Sequence, residues 1–306
     1  MKAHLLILGL LAAAVLQVSS ATFAAERAQA GKIRVLVVTG GHGFQAEPFF
    51  AIFDSIPDVT YSKTQYPAAA DELKPELTKR YDVLVFYDMW SKPLTDQQKR
   101  DFVALLQKGI GVVALHHTLA AHRDWPEYAK IIGGRYVIRP TKIGGKELPK
   151  SSYFHGQDLR VRVADASHPI TRGLTDFQIH DETYKDYYTA PSVHVLLTTD
   201  HPKSDPEIAW VHRYRNSRVF YLILGHDHLA YENPAYRRAR YSLGGGPPRQ
   251  SLRPLISRFP RYAPPRRSAV PGLSRVVLAR TRPDTTRPSL PDAFPIRWSA
   301  FEEKKR

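Results

Sequence analysis

The sequence predicts an α/β fold: a flavodoxin-like, three-layer sandwich around a mostly parallel central sheet. Three observations predict it. Apolar runs rich in β-branched residues recur at Ile33–Thr39, Tyr81–Asp88 and Gly111–Leu115, each the length of a strand buried on both faces. Segments with helical spacing of apolar residues lie between them. The turns that follow the runs carry Gly, Asp and His, where such sheets place their ligands.

The elements follow in order. Ile33–Thr39 (IRVLVVT) is a buried strand ending at the turn Gly40-Gly41-His42-Gly43. Glu47–Ile56 has helical spacing and stops at Pro57. Val59–Thr64 alternates like a strand, and Ala68–Thr78 reads as a helix. Tyr81–Asp88 is the next buried strand. Thr95 with Gln98 three residues on makes a capping box for a helix to about Lys108. Gly111–Leu115 then runs into His116-His117. Strands alternating with helices argue for parallel pairing with helices on both faces. The carboxyl-end rule then places residues 40–44, 88–90 and 116–122 on one rim. From Tyr136 to Leu224 the pattern becomes strand-rich. Segments near Asp158–Val163, Phe177–His180, Val193–Thr199, Glu207–Tyr214 and Arg218–Leu224 read as strands added to the same domain.

The two ends differ from this middle. Lys2, the apolar run Leu5–Leu16 and small residues at 19–30 have the layout of a secretory signal peptide. The expected mature chain starts between Thr22 and Gly31 and is periplasmic or secreted, with no membrane attachment after cleavage. The net charge is +15, but residues 239–306 carry 15 basic and 4 acidic residues, so +11 of it lies there. That segment also holds 11 of the 24 prolines. It reads as a Pro/Arg-rich disordered tail, with an anionic-polymer-binding arm as the functional alternative. The basic balance therefore gives no sign of a specific nucleic-acid partner for residues 31–238. Cysteine is absent, which excludes disulfides, thiolate nucleophiles and Cys-ligated metal clusters.

Histidine carries the candidate chemistry. There are 13, grouped as His116-His117 with His122, His155, His168, His180 beside Asp181 and Glu182, and His226-Asp227-His228. Imidazole and carboxylate are ordinary ligands for zinc and related divalent cations, and both suit proton transfer near neutral pH. The spacing matches no short metal motif, and a surface or structural histidine remains the alternative at each position. G-x-G-x-x-G, the P-loop and the G-x-S-x-G elbow are all missing, which leaves no support for a dinucleotide site, a phosphate cradle or a serine hydrolase. Tyr184, Tyr187, Tyr188, Trp210, Tyr221 and Tyr231 crowd the last histidines. They read as packing, with stacking on a sugar ring as the alternative.

Several segments together resemble the ThuA-like family, named for trehalose utilisation. They are Val37–Phe44 (VVTGGHGF), Gly111–His117 (GVVALHH), Trp125–Tyr128 (WPEY), Ser167–Ile170 (SHPI), Asp181–Tyr184 (DETY), Ile208–Trp210 (IAW) and Leu224–His226 (LGH) followed by Tyr231. The resemblance covers about residues 32–237 and implies a fold similar to the class I glutamine amidotransferase domain. His116 would occupy the turn where amidotransferases carry their cysteine. With no Cys, amidotransferase chemistry is not available. Family members usually close with an amphipathic helix. Here Asn233–Arg238 starts one and Gly244–Pro248 breaks it, and the remainder resembles an alternative reading frame of a GC-rich gene.

The expected organisation is a signal peptide at 1–30, one ThuA-like domain at 31–238 and the tail at 239–306, read as a disordered segment or a frameshift product. The expected role is an exported carbohydrate-processing protein acting on a sugar, glycoside or oxidised sugar derivative, as a metal-assisted hydrolase, lyase or isomerase. The alternative is a non-catalytic sugar- or partner-binding module. The catalytic residues expected are His116, Glu182 and His226. Those expected against substrate are His42, Phe44, His117, Tyr184 and Trp210. The metal ligands expected are His116, His180 and His226, for a divalent ion such as zinc.

Overall fold

The computed structural model describes residues 31–241; the expected signal peptide, and the expected tail from residue 242 on, lie outside the described residues. The chain divides into two units, Met1–Pro260 and Arg261–Arg306, and every described residue belongs to the first. Among the described residues no helix is long and apolar enough to cross a membrane.

The strands are β1 (Ile33–Gly40), β2 (Val59–Gln65), β3 (Val83–Asp88), β4 (Gly111–Leu115), β5 (Gly134–Arg135), β6 (Thr141–Ile143), β7 (Lys146–Leu148), β8 (Ser152–Val163), β9 (Phe177–Lys185), β10 (Tyr188–Thr189), β11 (His194–Thr199), β12 (Glu207–Tyr214) and β13 (Ser217–Leu222). The helices are α1 (Ala46–Asp54), α2 (Ala69–Glu72), α3 (Asp96–Gln107), α4 (Pro126–Ile132), α5 (His228–Glu232) and α6 (Pro234–Tyr241). Nine strands form one sheet in the order β2-β1-β3-β4-β13-β12-β11-β8-β9. The first five are parallel, which is the flavodoxin-like order the sequence predicts. The remaining pairs are antiparallel.

β3 and β4 are buried at every residue, so both faces of the parallel half are covered. The two faces can be told apart at neighbouring positions, because successive strand residues point to opposite sides. Phe86 meets Phe102 of α3, with ring centroids 5.5 Å apart. Tyr87 stacks on Phe49 of α1 at 4.3 Å. Helices α1 and α3 therefore flank the sheet on opposite sides, completing three layers.

The capping box at Thr95 and Gln98 is formed. Asn233 caps α6, its side-chain oxygen accepting from the amides of Ala235 and Tyr236 at 2.9 and 3.2 Å. Two expectations change. The single helix over 68–78 is split into α2 and a 3₁₀ turn at Pro75–Lys79. Pro75 disfavours helical backbone in the residue before it, and Lys74 is extended at φ −119°, ψ 159°. The strands expected at 158–163 and 177–180 extend to Ser152 and Lys185. Their added ends lack apolar alternation because they carry polar residues over the rim of the sheet.

Gly41, in the turn after β1, has φ +81°, and a Cβ there would lie 2.5 Å from the Met89 carbonyl oxygen. Gly43, two residues on, has nothing within 4 Å of that position. Gly41→Ala is expected to lower the unfolding free energy by about 1–3 kcal/mol, while Gly43→Ala changes it by less than about 0.5 kcal/mol. Urea melts of both variants check this. Equal midpoints would show that the turn relaxes without cost.

Candidate functional site

The site lies where the carboxyl ends of β4 and β13 meet the far end of the β8–β9 hairpin. β4 ends in a sharp turn at His116, whose φ of 49° is in the left-handed region. Such backbone is rare for a side-chain-bearing residue and clusters at functional turns. The turn is pinned from beneath, the Tyr221 hydroxyl donating to the His116 carbonyl at 2.9 Å. The His116 ring is fully buried. Its Nδ1 lies 2.6 Å from the Ile223 carbonyl oxygen and must carry a proton to bond it. That leaves Nε2 facing the site. Nε2 is 3.3 Å from Glu182 Oε1, 3.2 Å from His226 Nδ1 and 3.1 Å from the Tyr184 hydroxyl.

Glu182 is the other centre. His155 Nδ1 reaches its Oε2 at 2.6 Å, and His226 Nδ1 lies 3.7 Å from the same oxygen. A β-bulge sets the first contact. Phe154 pairs with Thr183 and Gln157 with Asp181, so His155 and Gly156 together oppose Glu182. Gly156 takes φ +61°, and the bulge bends β8 there. Asp181 holds the loop after β13 from below. It is buried, and its oxygens accept from the amides of Gly225 at 2.7 Å and His226 at 3.0 Å.

Electrostatics follow from these contacts. Burial works against a charged His116, but the hydrogen bond to Glu182 and the charges of Glu182 and Asp181 outweigh it and raise its pKa above the ordinary imidazole value. Burial pushes Glu182 upward, yet its bond to His116 wins and its pKa is lowered. Both shifts favour the charged forms. Burial, then the charge on His116, lowers the pKa of His226. His116, Glu182 and His226 each offer a ligand atom, all within 4.8 Å of one another.

A second polar cluster lies beside the first, at the end of β3. Asp88 is fully buried; its Oδ1 accepts from the Thr118 hydroxyl at 3.3 Å and its Oδ2 from the Trp90 amide at 3.3 Å. His122 Nε2 is 3.8 Å from Asp88 Oδ2 and 3.1 Å from the Tyr66 hydroxyl. Burial pushes Asp88 up to about 7 and His122 down to about 3, so between those pH values both members of the pair are mostly uncharged. His117 joins the clusters. Its Nδ1 lies 3.2 Å from the Asp88 carbonyl oxygen, and its Nε2 is buried with no hydrogen-bond partner. Burial, then the charges of His116 and His42, keep its pKa well below the usual value.

Of the residues expected here, His116, Glu182 and His226 come together. Tyr184 is buried beneath them, bonded to His116. His42 is exposed at the rim, its ring 4.8 Å from that of His117. Phe44 is half-buried and packs edge-on against Phe49 and Tyr87 at 5.3 and 5.2 Å. His180 and Trp210 do not belong. His180 is exposed and bonds Asp158 at 2.8 Å, its directly opposite partner on β8, so the three groups whose ligand atoms lie together include Glu182 and not His180. Trp210 is fully buried in the sheet, its indole N–H donating to the Ile132 carbonyl at 2.9 Å; it is core, not a substrate contact. Two contributors were not expected in the site: His155, placed by a bulge that no sequence pattern marks, and Asp181, whose role is to accept backbone donors. The adjacency of Asp181 to Glu182 in Asp-Glu-Thr-Tyr was the available signal.

The fold and the rim define a flavodoxin-like α/β protein with a histidine–carboxylate cluster at the carboxyl ends of its parallel strands. The sequence model of the ThuA family, described as trehalose utilisation, matches residues 34–242, and the chain belongs to that family, which supports a carbohydrate-related role. Among solved structures it is similar to a ThuA-like protein from Parabacteroides merdae, at 18% identity and TM-score 0.58, covering 74% of this chain and 90% of that one. A ThuA-like protein from Bacteroides uniformis matches at 19% identity and TM-score 0.52, covering 69% and 89%. A glutamine amidotransferase from Thermotoga maritima matches at 12% identity and TM-score 0.42, covering 74% and 99%. No curated protein matches.

The neutral pair has a testable consequence. Asp88 rises from 3.8 to about 7 on folding, so the native state holds the extra proton and this group makes stability fall as pH rises from about 4 to 7. His122 drops from 6.5 to about 3, which makes stability rise over about pH 3 to 6.5. The two slopes oppose each other in the wild type. Asp88→Asn removes only the first. The stability of this variant relative to wild type should therefore climb between pH 4 and 8, by at most about 4 kcal/mol. Denaturant melts across that range measure it, and a flat or falling difference would show that Asp88 is ionised in the native state.

Proposed function

We propose that this chain is an exported carbohydrate-processing enzyme acting on a sugar, glycoside or oxidised sugar derivative, with its chemistry at His116, Glu182 and His226. The observation that carries the reading is the buried His116–Glu182 pair on the turn after β4, with His226 against both. The family adds the carbohydrate connection. The Lys2 and Leu5–Leu16 segment motivates export.

The donor set suits a divalent cation such as zinc. Two imidazole nitrogens and a carboxylate with one position open form a familiar catalytic zinc set. The Ile223 carbonyl fixes the His116 tautomer so that Nε2 is available. A cation held by His116 Nε2, His226 Nδ1 and Glu182 would supply Lewis-acid polarisation of a carbonyl or hydroxyl oxygen. The chain's own groups do the rest. Where no cation is held, Glu182 would itself take a proton from a substrate hydroxyl or carbon and return it. His155 bonds the second oxygen of Glu182 and fixes its orientation. Tyr184 holds the His116 ring in place.

Equilibrium dialysis of the chelator-treated protein against zinc is the first test. His116→Ala and Glu182→Gln should weaken zinc binding by on the order of 100-fold, whereas His180→Ala should leave it within about twofold. Equal losses in all three variants, or no zinc binding by wild type, would remove the metal from the site. Glycosides and their keto derivatives are then offered to the loaded protein. Turnover lost in Glu182→Gln supports the enzyme reading, and binding without turnover of any of them replaces it with a sugar-binding module. Export has its own measurement. The N-terminus of protein from the native host should fall between Thr22 and Gly31, and a chain still starting at Met1 in the cytoplasm would overturn export.

A further inference from the structure

Of the aromatic residues crowding the last histidines, Tyr188 alone is not buried; Tyr184, Tyr187, Trp210, Tyr221 and Tyr231 are closed to a ligand. Among the described residues the large apolar side chains that stand exposed are Tyr153, at 57%, and Leu229. Leu229 lies on the short helix α5. Tyr153 is different, because the strand that carries it ends over the rim.

Tyr153 lies on β8 directly opposite Tyr184 of β9. Cross-strand partners share a face, so Tyr153 is on the side of the hairpin from which Tyr184 reaches His116. Two residues along β8, His155 contacts the Tyr153 ring edge-on, with centroids 5.2 Å apart at 68°. His155 in turn bonds Glu182 at 2.6 Å and packs against His226 at 4.9 Å. An exposed aromatic plane therefore adjoins the polar groups of the site through a single intervening ring.

We propose that Tyr153 is the stacking platform for a pyranose ring whose reacting edge lies at Glu182, His116 and His226. The inference rests on the carbohydrate reading above and adds the form of the substrate: ring-closed, with one C–H face free. A pyranose is amphipathic in the same sense as this surface. Its axial C–H groups make an apolar face that suits an aromatic ring, and its hydroxyl edge needs polar partners. Those partners lie together here. Glu182 and His226 face the reacting edge, and His155 stands between them and the Tyr153 ring. An open-chain polyol offers the hydroxyls without the face.

The test is saturation-transfer NMR and titration on the full chain with trehalose, methyl α-glucoside and open-chain sorbitol. Wild type should bind the two ring-closed sugars in preference to sorbitol, with the ring C–H protons receiving the strongest transfer. Tyr153→Ala should weaken ring binding by about tenfold and abolish the preference over sorbitol. Tyr153→Phe, which keeps the plane and loses the hydroxyl, should stay within about twofold of wild type. Zinc binding should be the same in all three proteins, a readout that damage to the site itself would move. Undiminished ring binding in Tyr153→Ala, or equal losses in Tyr153→Ala and Tyr153→Phe, would overturn the platform while leaving the carbohydrate reading in place. Failure of wild type to bind any sugar of the panel would overturn both.

Discussion

The buried carboxylate of Asp181 is the constraint on which the site depends. Burial raises its pKa from the ordinary carboxylate value, and the charge of His116 and the amides of Gly225, His226 and Glu182 oppose the rise. The bonds from Gly225 and His226, at 2.7 and 3.0 Å, join parts of the chain that the sheet alone would keep apart. β9 is the edge strand, and β13 lies in the middle with β12, β11 and β8 between them. The loop after β13 has a glycine at φ +111°, so its amides point out of the strand ladder and need an acceptor. Asp181 is that acceptor. Without it, buried donors would be unpaired at a cost of about 1–3 kcal/mol each, and nothing in the strand pairing would bring Glu182 to His116.

This arrangement divides the labour between the halves of the sheet. The parallel half is an apolar scaffold, rigid because β3 and β4 are buried on both faces. It fixes the turn at His116 and presents the ring nitrogen with its tautomer already chosen. The antiparallel half supplies the reactive carboxylate on an extension of the hairpin. Tyr184 ties the two together at the ring of His116. A flavodoxin-like sheet would cross from β4 to its fifth parallel strand through one helix. Here the crossover contains β5 to β12, and that insertion carries Glu182 and His155, leaving the remaining reactive groups to the scaffold.

The scaffold was legible in the sequence because its signal is local. A both-faces-buried strand is a continuous apolar run, and the Thr95–Gln98 box is a two-residue pattern; neither depends on distant residues. The rim was legible for a related reason: strand ends are where the apolar runs stop, and His42, Asp88 and His116 follow them directly. The antiparallel arm was harder. Residues 152–157 and 181–185 lose apolar alternation because they face a polar site, so the strands seem to end early. His180 and Glu182 looked equivalent in the sequence, both beside Asp181. Their roles differ because of strand register: Asp158 stands opposite His180 and takes it, whereas the bulge sets His155 against Glu182. Register and bulges are set by pairing across the sheet, and no local pattern encodes them. Trp210 was misplaced for the opposite reason. Its ring was read as a surface for a sugar, and the carbonyl that its indole N–H bonds in the core belongs to Ile132, far along the chain.

The histidines on the rim show how surroundings, not residue type, separate the reactive from the structural. His116 and His122 both follow β4, both take a positive φ of 49° and 48°, and both are buried near a carboxylate. His116 has Glu182 at 3.3 Å, with Asp181 adding its charge nearby, and both members are shifted toward their charged forms. His122 has Asp88 at 3.8 Å and the Tyr66 hydroxyl nearer, at 3.1 Å, and desolvation shifts both of these toward their neutral forms. A pair biased toward charge in the folded state can meet the developing charge of a reaction with less reorganisation than a pair biased against it. His117 stands between the two, bonded to the backbone of the second cluster, with its Nε2 buried. The carboxylate each histidine faces, and how far it offsets burial, separate the reactive cluster from the structural one more than the number of histidines does.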